Sequence, residues 1–557
     1  MRFKIFILLT LLISLAFMYN SQAYWPATIR ENLPVATTDS LHERYPFALP
    51  YPDNSTLIVY NGGWLAGRYQ IVDKYGQLKY AEPESVYPLM PYFNTNQLIT
   101  IPDGEDGAII CWRINPGMNQ FDYYAQKLDS QGNRLWGDSA SLVLKTFLGG
   151  YIDISSDGNG GFFLAIDNDD DNIVAQHIDE MGNPLYGDSG RVVLAGPQLE
   201  RFPKVTQDGS GGFYVVWDDW RPPYNIWGSL HMQRFDSEGN PMWSPRDGVF
   251  LCQSTLFHQI IPDGEGGFIL HANPENPYYN NAKRVSPDGQ VLWNRDHVSW
   301  YVWTDIFPGE PGFFYLGFLY GNESEGWGIY GQRMDIQGHT YWPTWGSGQV
   351  GAEFGYFSHL INGNSRAWHF RYPYFYSFNV FQYTENPLLH PKYLYIQALD
   401  LSGRKSYSDN GVLITMLDNS PDMLEVHHFG IAPSEDGGAV GVWCEEAGDN
   451  HFDIMAKRCN ADGTLGGADP SRRPDEPTSQ ISGSLNGNIQ YEIHRASVVK
   501  IELYNLLGQH AKTIKNSYQQ PGSYTIHIDQ SSLSSGIYFL RLHTPTGSHV
   551  AKMVVVR

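Results

Sequence analysis

Asp208-Gly209-Ser210-Gly211-Gly212 followed by Phe213-Tyr214-Val215-Val216-Trp217 is a glycine-rich turn feeding a β-branched and aromatic run. That combination opens a β-strand. The turn recurs as D-G-E-D-G at Asp103, D-G-N-G-G at Asp157, D-G-E-G-G at Asp263 and E-D-G-G at Glu435, with looser copies from Pro52, Pro308 and Asn362. A second turn follows each run, with glycine at Gly76, Gly132, Gly182, Gly239, Gly289, Gly338, Gly403 and Gly463, spaced 49–65 residues apart. Its usual form is D-x-x-G, in which the acid bonds backbone amides and glycine takes a positive φ. An aromatic often lies four residues beyond the glycine (Trp136, Tyr186, Trp243, Trp293, Trp342). A glutamine often lies three before the aspartate (Gln70, Gln126, Gln176, Gln233, Gln332, Gln397), read as bonding buried backbone between repeats.

Two hairpins per period make four strands, and many such units of about 50 residues are the signature of a β-propeller. The fold class is all-β: an eight-bladed propeller, with seven blades as the alternative because the first and sixth units are irregular, followed by a small immunoglobulin-like β-sandwich. The last unit lacks its fourth strand. Tyr24-Trp25-Pro26 resembles the fourth-strand opening Tyr341-Trp342-Pro343, so the N-terminal strand is expected to complete that blade and close the ring. The expected boundaries are a signal peptide at 1–23, the propeller at 24–467, a linker at 468–483 and the sandwich at 484–557.

The signal reading rests on Arg2 and Lys4, the apolar run Ile5 to Met18 and the small-x-small site Ser21-Gln22-Ala23, with cleavage near Ala23. No other stretch approaches the roughly 20 apolar residues of a membrane span, so no transmembrane segment is expected in the mature chain. A net charge of −22 argues against nucleic acid. Four cysteines do not make a disulfide scaffold. Cys444 and Cys459 flank one hairpin, which leaves a disulfide or two thiols open; Cys111 and Cys252 read as buried thiols.

From Ser484 the repeat stops. Val499 to Gln509 (V-K-I-E-L-Y-N-L-L-G-Q) is followed by Pro521-Gly522-Ser523-Tyr524, then Leu533 to Leu542 (L-S-S-G-I-Y-F-L-R-L), and Lys552 to Arg557 ends the chain. This order resembles the type A C-terminal sorting domain of type IX secretion cargo, related to the immunoglobulin-like domain of the flagellar hook-cap protein. The resemblance implies recognition by the type IX secretion machinery, delivery to the outer cell surface or medium, and a sorting motif carried by Tyr504, Gly508, Gly522, Ser535, Gly536, Tyr538 and Lys552. The family's S-x-P-N-P opening is replaced by Ser484-Leu485-Asn486-Gly487-Asn488, and a plain attachment module is the other reading.

No nucleophile elbow, H-E-x-x-H, C-x-x-C or phosphate loop is present. Ser286 to Trp293 approaches a sialidase-type turn with the wrong spacing, and His427 and His428 point to opposite faces of a strand. No catalytic residue, metal site or cofactor is therefore expected, and the chain is read as performing no reaction; a propeller-fold glycoside hydrolase or lyase, or a structural surface protein, are the alternatives. Asp167, Asp169 and Asp171 have calcium-loop spacing, open between a solvated loop and a calcium site. The second-to-third-strand loops vary and collect aromatics, where recognition usually lives. Trp220, Arg221, Tyr224, Tyr278, Tyr279, Trp327 and Tyr374, with Tyr372, Phe375 and Tyr376 beside the last, are the candidate contacts for a polysaccharide or a surface protein.

Overall fold

Phe213–Asp219 is the second strand of an antiparallel sheet ordered Glu200–Gln207, Phe213–Asp219, Ser229–Phe235, Val249–Gln253. Its side chains alternate between two apolar clusters. Phe213, Val215 and Trp217 pack toward the preceding sheet, against Phe163 and Ala165; Tyr214 and Val216 pack toward the following one, against Phe268 and Leu270. Burial on both faces explains why the run is continuously apolar rather than alternating.

A computed structural model describes residues 25–555 apart from 38–42, 64–66, 89–95, 118–119, 148, 169–171, 195–199, 221–227, 254–257, 273–278, 301–303, 323–325, 343–351, 358–365, 382–391, 408–409, 418–428, 449–450, 467–480, 484–487, 494–496, 506–509, 520–521, 529–532, 534–535 and 545–546. The signal-peptide reading lies outside these residues. The chain divides into two compact units, Met1–Gly467 and Ala468–Arg557. Among the described residues the first unit holds eight four-stranded sheets. Their first strands, Arg44–Tyr51, Asn96–Pro102, Gly149–Ser156, Glu200–Gln207, His258–Pro262, Thr304–Pro308, Arg366–Arg371 and Phe429–Pro433, touch in succession and the last touches the first. These sheets are blades 1 to 8 of a propeller, and the first strands line its axis.

The closure expected from the sequence is present. Leu33–Ala36 pairs antiparallel with His451–Cys459, in the sheet that also contains Trp443. Lys457 anchors the entering chain by donating to the Thr28 carbonyl at 2.5 Å and to the Ile414 carbonyl at 3.2 Å. The Trp25 amide donates to Tyr75 of blade 1 at 3.1 Å.

Every first-to-second turn and every third-to-fourth turn lies at one end of the ring, the tip end. In blade 4 one Asp208 carboxylate oxygen accepts the Ser210 and Gly212 amides, each at 2.8 Å, and the other pairs with Arg234 at 2.7 Å. Asp103 with Lys127, Asp157 with His177 and Asp263 with Arg284 repeat this arrangement. Burial works to raise the Asp208 carboxyl, but the Ser210 amide and Arg234 outweigh it and hold it below the ordinary range. The aromatic of each third-to-fourth turn then donates to the next blade: Trp136 to the Glu180 carbonyl, Trp243 to Pro287, Trp293 to Ile336 and Trp342 to Leu401, at 2.8–3.1 Å.

The glutamines act within their own blade, not between blades. Gln126 accepts from the Trp136 and Lys127 amides and donates to the Gly137 carbonyl, tying the third strand to the start of the fourth. Cys444 stands opposite Ile454 and Cys459 opposite Ala439, several positions apart along the ladder, so no disulfide joins them; all four cysteines are free thiols.

The second unit has one sheet of Ile481–Gly483, Asn488–Ile493 and Gly522–His527, and another of His510–Gln519, Ser497–Asn505, Gly536–Thr544 and Gly547–Val555. Its first strand begins inside the stretch expected to be linker, because Ile481–Gly483 pairs with Ile489–Tyr491. Tyr538 packs in the core with Leu503, Leu540 and Met553. The Tyr504 hydroxyl donates to Glu502, Gly536 opens a strand opposite Val555, and Lys552 stands opposite Phe539. Gly522 starts the strand Gly522–His527; Gly508 and Ser535 lie outside the described residues.

Replacing Gln126 with alanine orphans the amides of buried Lys127 and Trp136, each costing about 1–3 kcal/mol. Thermal unfolding of the full chain is expected to show a clear drop in midpoint for Gln126→Ala and none for Gln131→Ala on the exposed turn; equal midpoints would refute the intra-blade role.

Candidate functional site

The tip end spends its polar groups on itself. Beyond the pairs already described, Lys127 reaches the Gly160 carbonyl of blade 3, and Arg284 reaches the Ile336 carbonyl of blade 6. The opposite end, bearing the second-to-third-strand loops, is where the sequence placed recognition.

Trp220 is half-buried, its indole nitrogen enclosed without a hydrogen-bond partner among the described residues, and its ring lies against Gly228 at the base of its own loop. Tyr279 begins the third strand of blade 5 opposite Trp300, and Trp327 stands near the start of the third strand of blade 6 opposite Gly321, both at the loop end. Arg221, Tyr224 and Tyr278 lie outside the described residues. Tyr374 is at the wrong end for the role given it. It opens the second strand of blade 7 directly after the tip turn, opposite Arg371, and lies beside Gly437 in the tip turn of blade 8. Phe375 and Tyr376 are core residues, and the Tyr376 hydroxyl donates to Gly437 at 2.9 Å. The error came from reading Asn362 as the tip of this blade; the hairpin turns instead at Tyr372-Pro373.

Sequence reasoning missed the axial channel. A cavity of about 550 Å³ is walled by the first strands of blades 2 to 6. Its polar groups are paired across neighbouring blades: Lys204 with Asp153 at 3.3 Å, the Val205 amide with Asp153 at 2.9 Å, and Gln259 with Asp305 at 3.0 Å. That cavity lies against the tip-end halves of the strands; toward the loop end the first strands bulge. Register shifts fall between Gly149 and Ile152 in blade 3 and between Arg201 and Lys204 in blade 4. The bulges set Tyr151 and Phe202 side by side, ring centroids 4.3 Å apart and inclined at 47°. Tyr151 is 56% exposed. Phe202 has φ +54 although Pro203 follows it, a conformation that costs about 1–3 kcal/mol.

Asp167 holds both bulges. One carboxylate oxygen accepts the Tyr151 amide at 2.5 Å and the other accepts the Phe202 amide of the next blade at 3.1 Å. Burial raises its carboxyl; the two amides and Arg201 pull the other way without cancelling the rise. This carboxylate is therefore engaged with backbone, which removes it from the calcium reading; Asp169 and Asp171 lie outside the described residues. The available signal was the repeated tetrapeptide Glu43-Arg44-Tyr45-Pro46 and Glu200-Arg201-Phe202-Pro203, whose aromatics both take positive φ.

Asp167 occupies a position that recurs near the loop end of each second strand. Arg113 there donates to the Gly149 carbonyl of the next blade at 3.0 Å, and the Cys444 thiol reaches the Glu43 carbonyl. Asp218 holds the same position in blade 4, fully buried, with both oxygens lacking a hydrogen-bond partner among the described residues. Desolvation alone lifts its carboxyl to about 7. Burial pulls His258 and His271 down to about 3, so both imidazoles are neutral at neutral pH and supply no positive charge. Ser229 and Asp219 both approach the same Nδ1 of His231, at 3.4 and 3.6 Å, so the three are not in relay order. Among the described residues no group of three His, Cys, Asp or Glu could hold a metal.

Comparison with known families decides the second unit. Residues 484–556 match the secretion system C-terminal sorting domain. No curated protein sequence matches the chain. Among solved structures it is similar to the Penicillium chrysogenum alpha-L-arabinanase, at 10% identity and TM-score 0.32 over 52% of this chain and 93% of that one. It is also similar to a polysaccharide lyase, an ulvan lyase (11%, TM-score 0.37, 79% and 97%). A third is prolyl oligopeptidase B from Galerina marginata (11%, TM-score 0.41), of which it spans 56% while 75% of this chain is covered. The expectation of a chain that performs no reaction is corrected by these likenesses, since each of the three is an enzyme. At such identity the likeness is one of fold, and their substrates belong to them.

No helix among the described residues is long and apolar enough to cross a membrane.

The Asp218 carboxyl gives a pH-dependent stability with a defined sign. Its folded value near 7 exceeds the unfolded value of 3.8, so the stability it contributes is whole below about pH 4 and lost as pH rises to about 7, a cost of roughly 4 kcal/mol above that. Asp218→Asn is expected to raise the unfolding midpoint at pH 8 and leave it nearly unchanged at pH 4; equal shifts at both values would refute the assignment.

Proposed function

We propose that this exported protein uses its propeller to recognise an extracellular polysaccharide through the loop end, and that a signal peptide cleaved near Ala23 starts its passage. The sorting domain implies export by the type IX machinery to the medium or cell surface. The observation that carries the propeller's share is the asymmetry of its two ends. At the tip end the aspartates, glutamines, basic residues and aromatics bond one another or the next blade, which leaves few of them to bind a partner. At the loop end the bulged first strands set Tyr151 beside Phe202, and Trp220, Tyr279 and Trp327 stand at the same end, on strands joined by loops whose sequence adds Arg221, Tyr224 and Tyr278. Aromatic faces beside a few fixed polar groups suit a polyhydroxylated strand.

The test is affinity electrophoresis of the full mature chain in gels containing arabinan, xyloglucan, laminarin or ulvan, with released reducing ends measured in parallel. Retardation by at least one polysaccharide is expected, and joint replacement of Trp220, Tyr278, Tyr279 and Trp327 by alanine should weaken it several-fold while Tyr372→Ala at the tip end leaves it unchanged. Retardation by none overturns the reading in favour of a protein partner.

Export is tested separately. Deleting residues 484–557 is expected to leave the propeller in the periplasm, protected from protease added to intact cells. Unchanged arrival at the surface would reduce the second unit to an attachment module.

A further inference from the structure

The aromatic pair at the channel mouth is held at a backbone cost that packing alone does not explain. Phe202 sits at φ +54 before a proline, and Tyr151 leaves more than half its surface in water. Sterically disfavoured backbone persists where its surroundings enforce it, and it concentrates at ligand sites. Here the enforcing group is Asp167, which places one oxygen on each of the two amides. Two residues further along the same strands stands the Asp153–Lys204 pair, a fixed acceptor and donor on the channel wall. Rings inclined at 47° with centroids 4.3 Å apart form an angled apolar surface beside that polar pair.

We propose that Tyr151 and Phe202 form a saccharide subsite that stacks against the apolar face of a pyranose ring in a neutral polysaccharide, with Asp167 as the residue that positions both rings. The proposal rests on the polysaccharide reading and narrows it to one place and one ligand class. The neutral class follows from charge. A chain of net −22 repels uronate and sulfate polymers, and of the cations near the rings Arg113 bonds the Gly149 carbonyl, Arg201 acts on the Asp167 carboxylate and Lys204 is paired with Asp153. Hydroxyl groups of an uncharged sugar can bond that pair without separating it.

The experiment measures retention of the full mature chain by laminarin, xyloglucan and xylan, with polygalacturonate as the anionic comparison. Tyr151→Ala and Phe202→Ala are each expected to weaken retention roughly three- to tenfold. Phe202→Gly removes the ring but accepts the positive φ, so retention should fall while the unfolding midpoint does not. Asp167→Asn, whose amide nitrogen cannot accept the second bond, should weaken retention in the otherwise native chain. Added to the Tyr151→Ala, Phe202→Ala background it should weaken retention no further, because a positioning residue has nothing left to position. Retention of the native chain that survives both ring substitutions overturns the subsite and leaves the polysaccharide reading standing. A preference for polygalacturonate overturns the neutral assignment. Retention by none of the four polymers overturns the subsite and the polysaccharide reading together.

Discussion

The aspartate that opens the first-to-second turn in blades 2 to 5 is the contact on which the regularity of that part of the propeller rests. A tight turn leaves inward-pointing amides that solvent cannot reach once blades stack, and a buried unpaired amide is costly. Asp208 satisfies two of them with one oxygen, which creates a second problem, a buried negative charge. The residue after the strand-three glutamine answers it: Arg234 follows Gln233 and Lys127 follows Gln126 as cations, while His177 after Gln176 meets Asp157 through a ring nitrogen at 3.0 Å. Blade 6 reaches the same balance with Glu310 and Arg333. Because the basic side chain is long, it also reaches the neighbouring blade's backbone, so one local requirement produces contact between repeats.

Stacking repeats in a ring then raises the question of where the ring ends. A repeat protein that stopped at Cys459 would present the ladder groups of His451–Cys459 to solvent, an edge open to association. Leu33–Ala36 fills that edge, and its attachment is unlike the other fourth strands. It is held by Lys457, whose ammonium burial pulls down to about 8, and by Asn32 donating to Glu445. A chain segment far away in sequence has a larger closure entropy to overcome than a hairpin has. The extra polar anchors at this one junction are consistent with that difference.

The strands, their grouping in fours and the closing segment were legible because turn chemistry and apolar runs are local properties that repeat. Two kinds of feature were not. The glutamine position was visible, but whether Gln126 bonds its own blade or the next depends on a turn folding back ten residues later, which periodicity does not reveal. Tyr374 was misplaced because Asn362 imitates a tip while Tyr372-Pro373 makes one. The channel mouth escaped for a related reason. Asp167 looked like part of an acidic loop, and only the neighbouring blade's bulge, brought alongside by the ring, shows that it is a backbone clamp for Phe202.

The position held by Asp167 shows how a uniform scaffold acquires local differences. Near the loop end of the second strand the blades place Arg113, Asp167, Asp218 or Cys444; Arg113, Asp167 and Cys444 bond backbone of the next blade, and Asp218 shares the strand face of Tyr214 and Val216, which packs toward it. The scaffold tolerates a cation, an anion or a thiol there because the site adjoins loops rather than the repeating tip bonds, so a change disturbs one seam and not the ring. Where the group finds two amides it enforces an unusual backbone, as Asp167 does. Where it finds none among the described residues, as with Asp218, it keeps its proton to near neutrality and makes that seam sensitive to pH. Variation confined to this position can therefore alter the geometry and charge of the channel mouth one blade at a time while the tip-end bonds stay the same. The proposed recognition thus belongs to the end of the propeller whose seams differ from blade to blade.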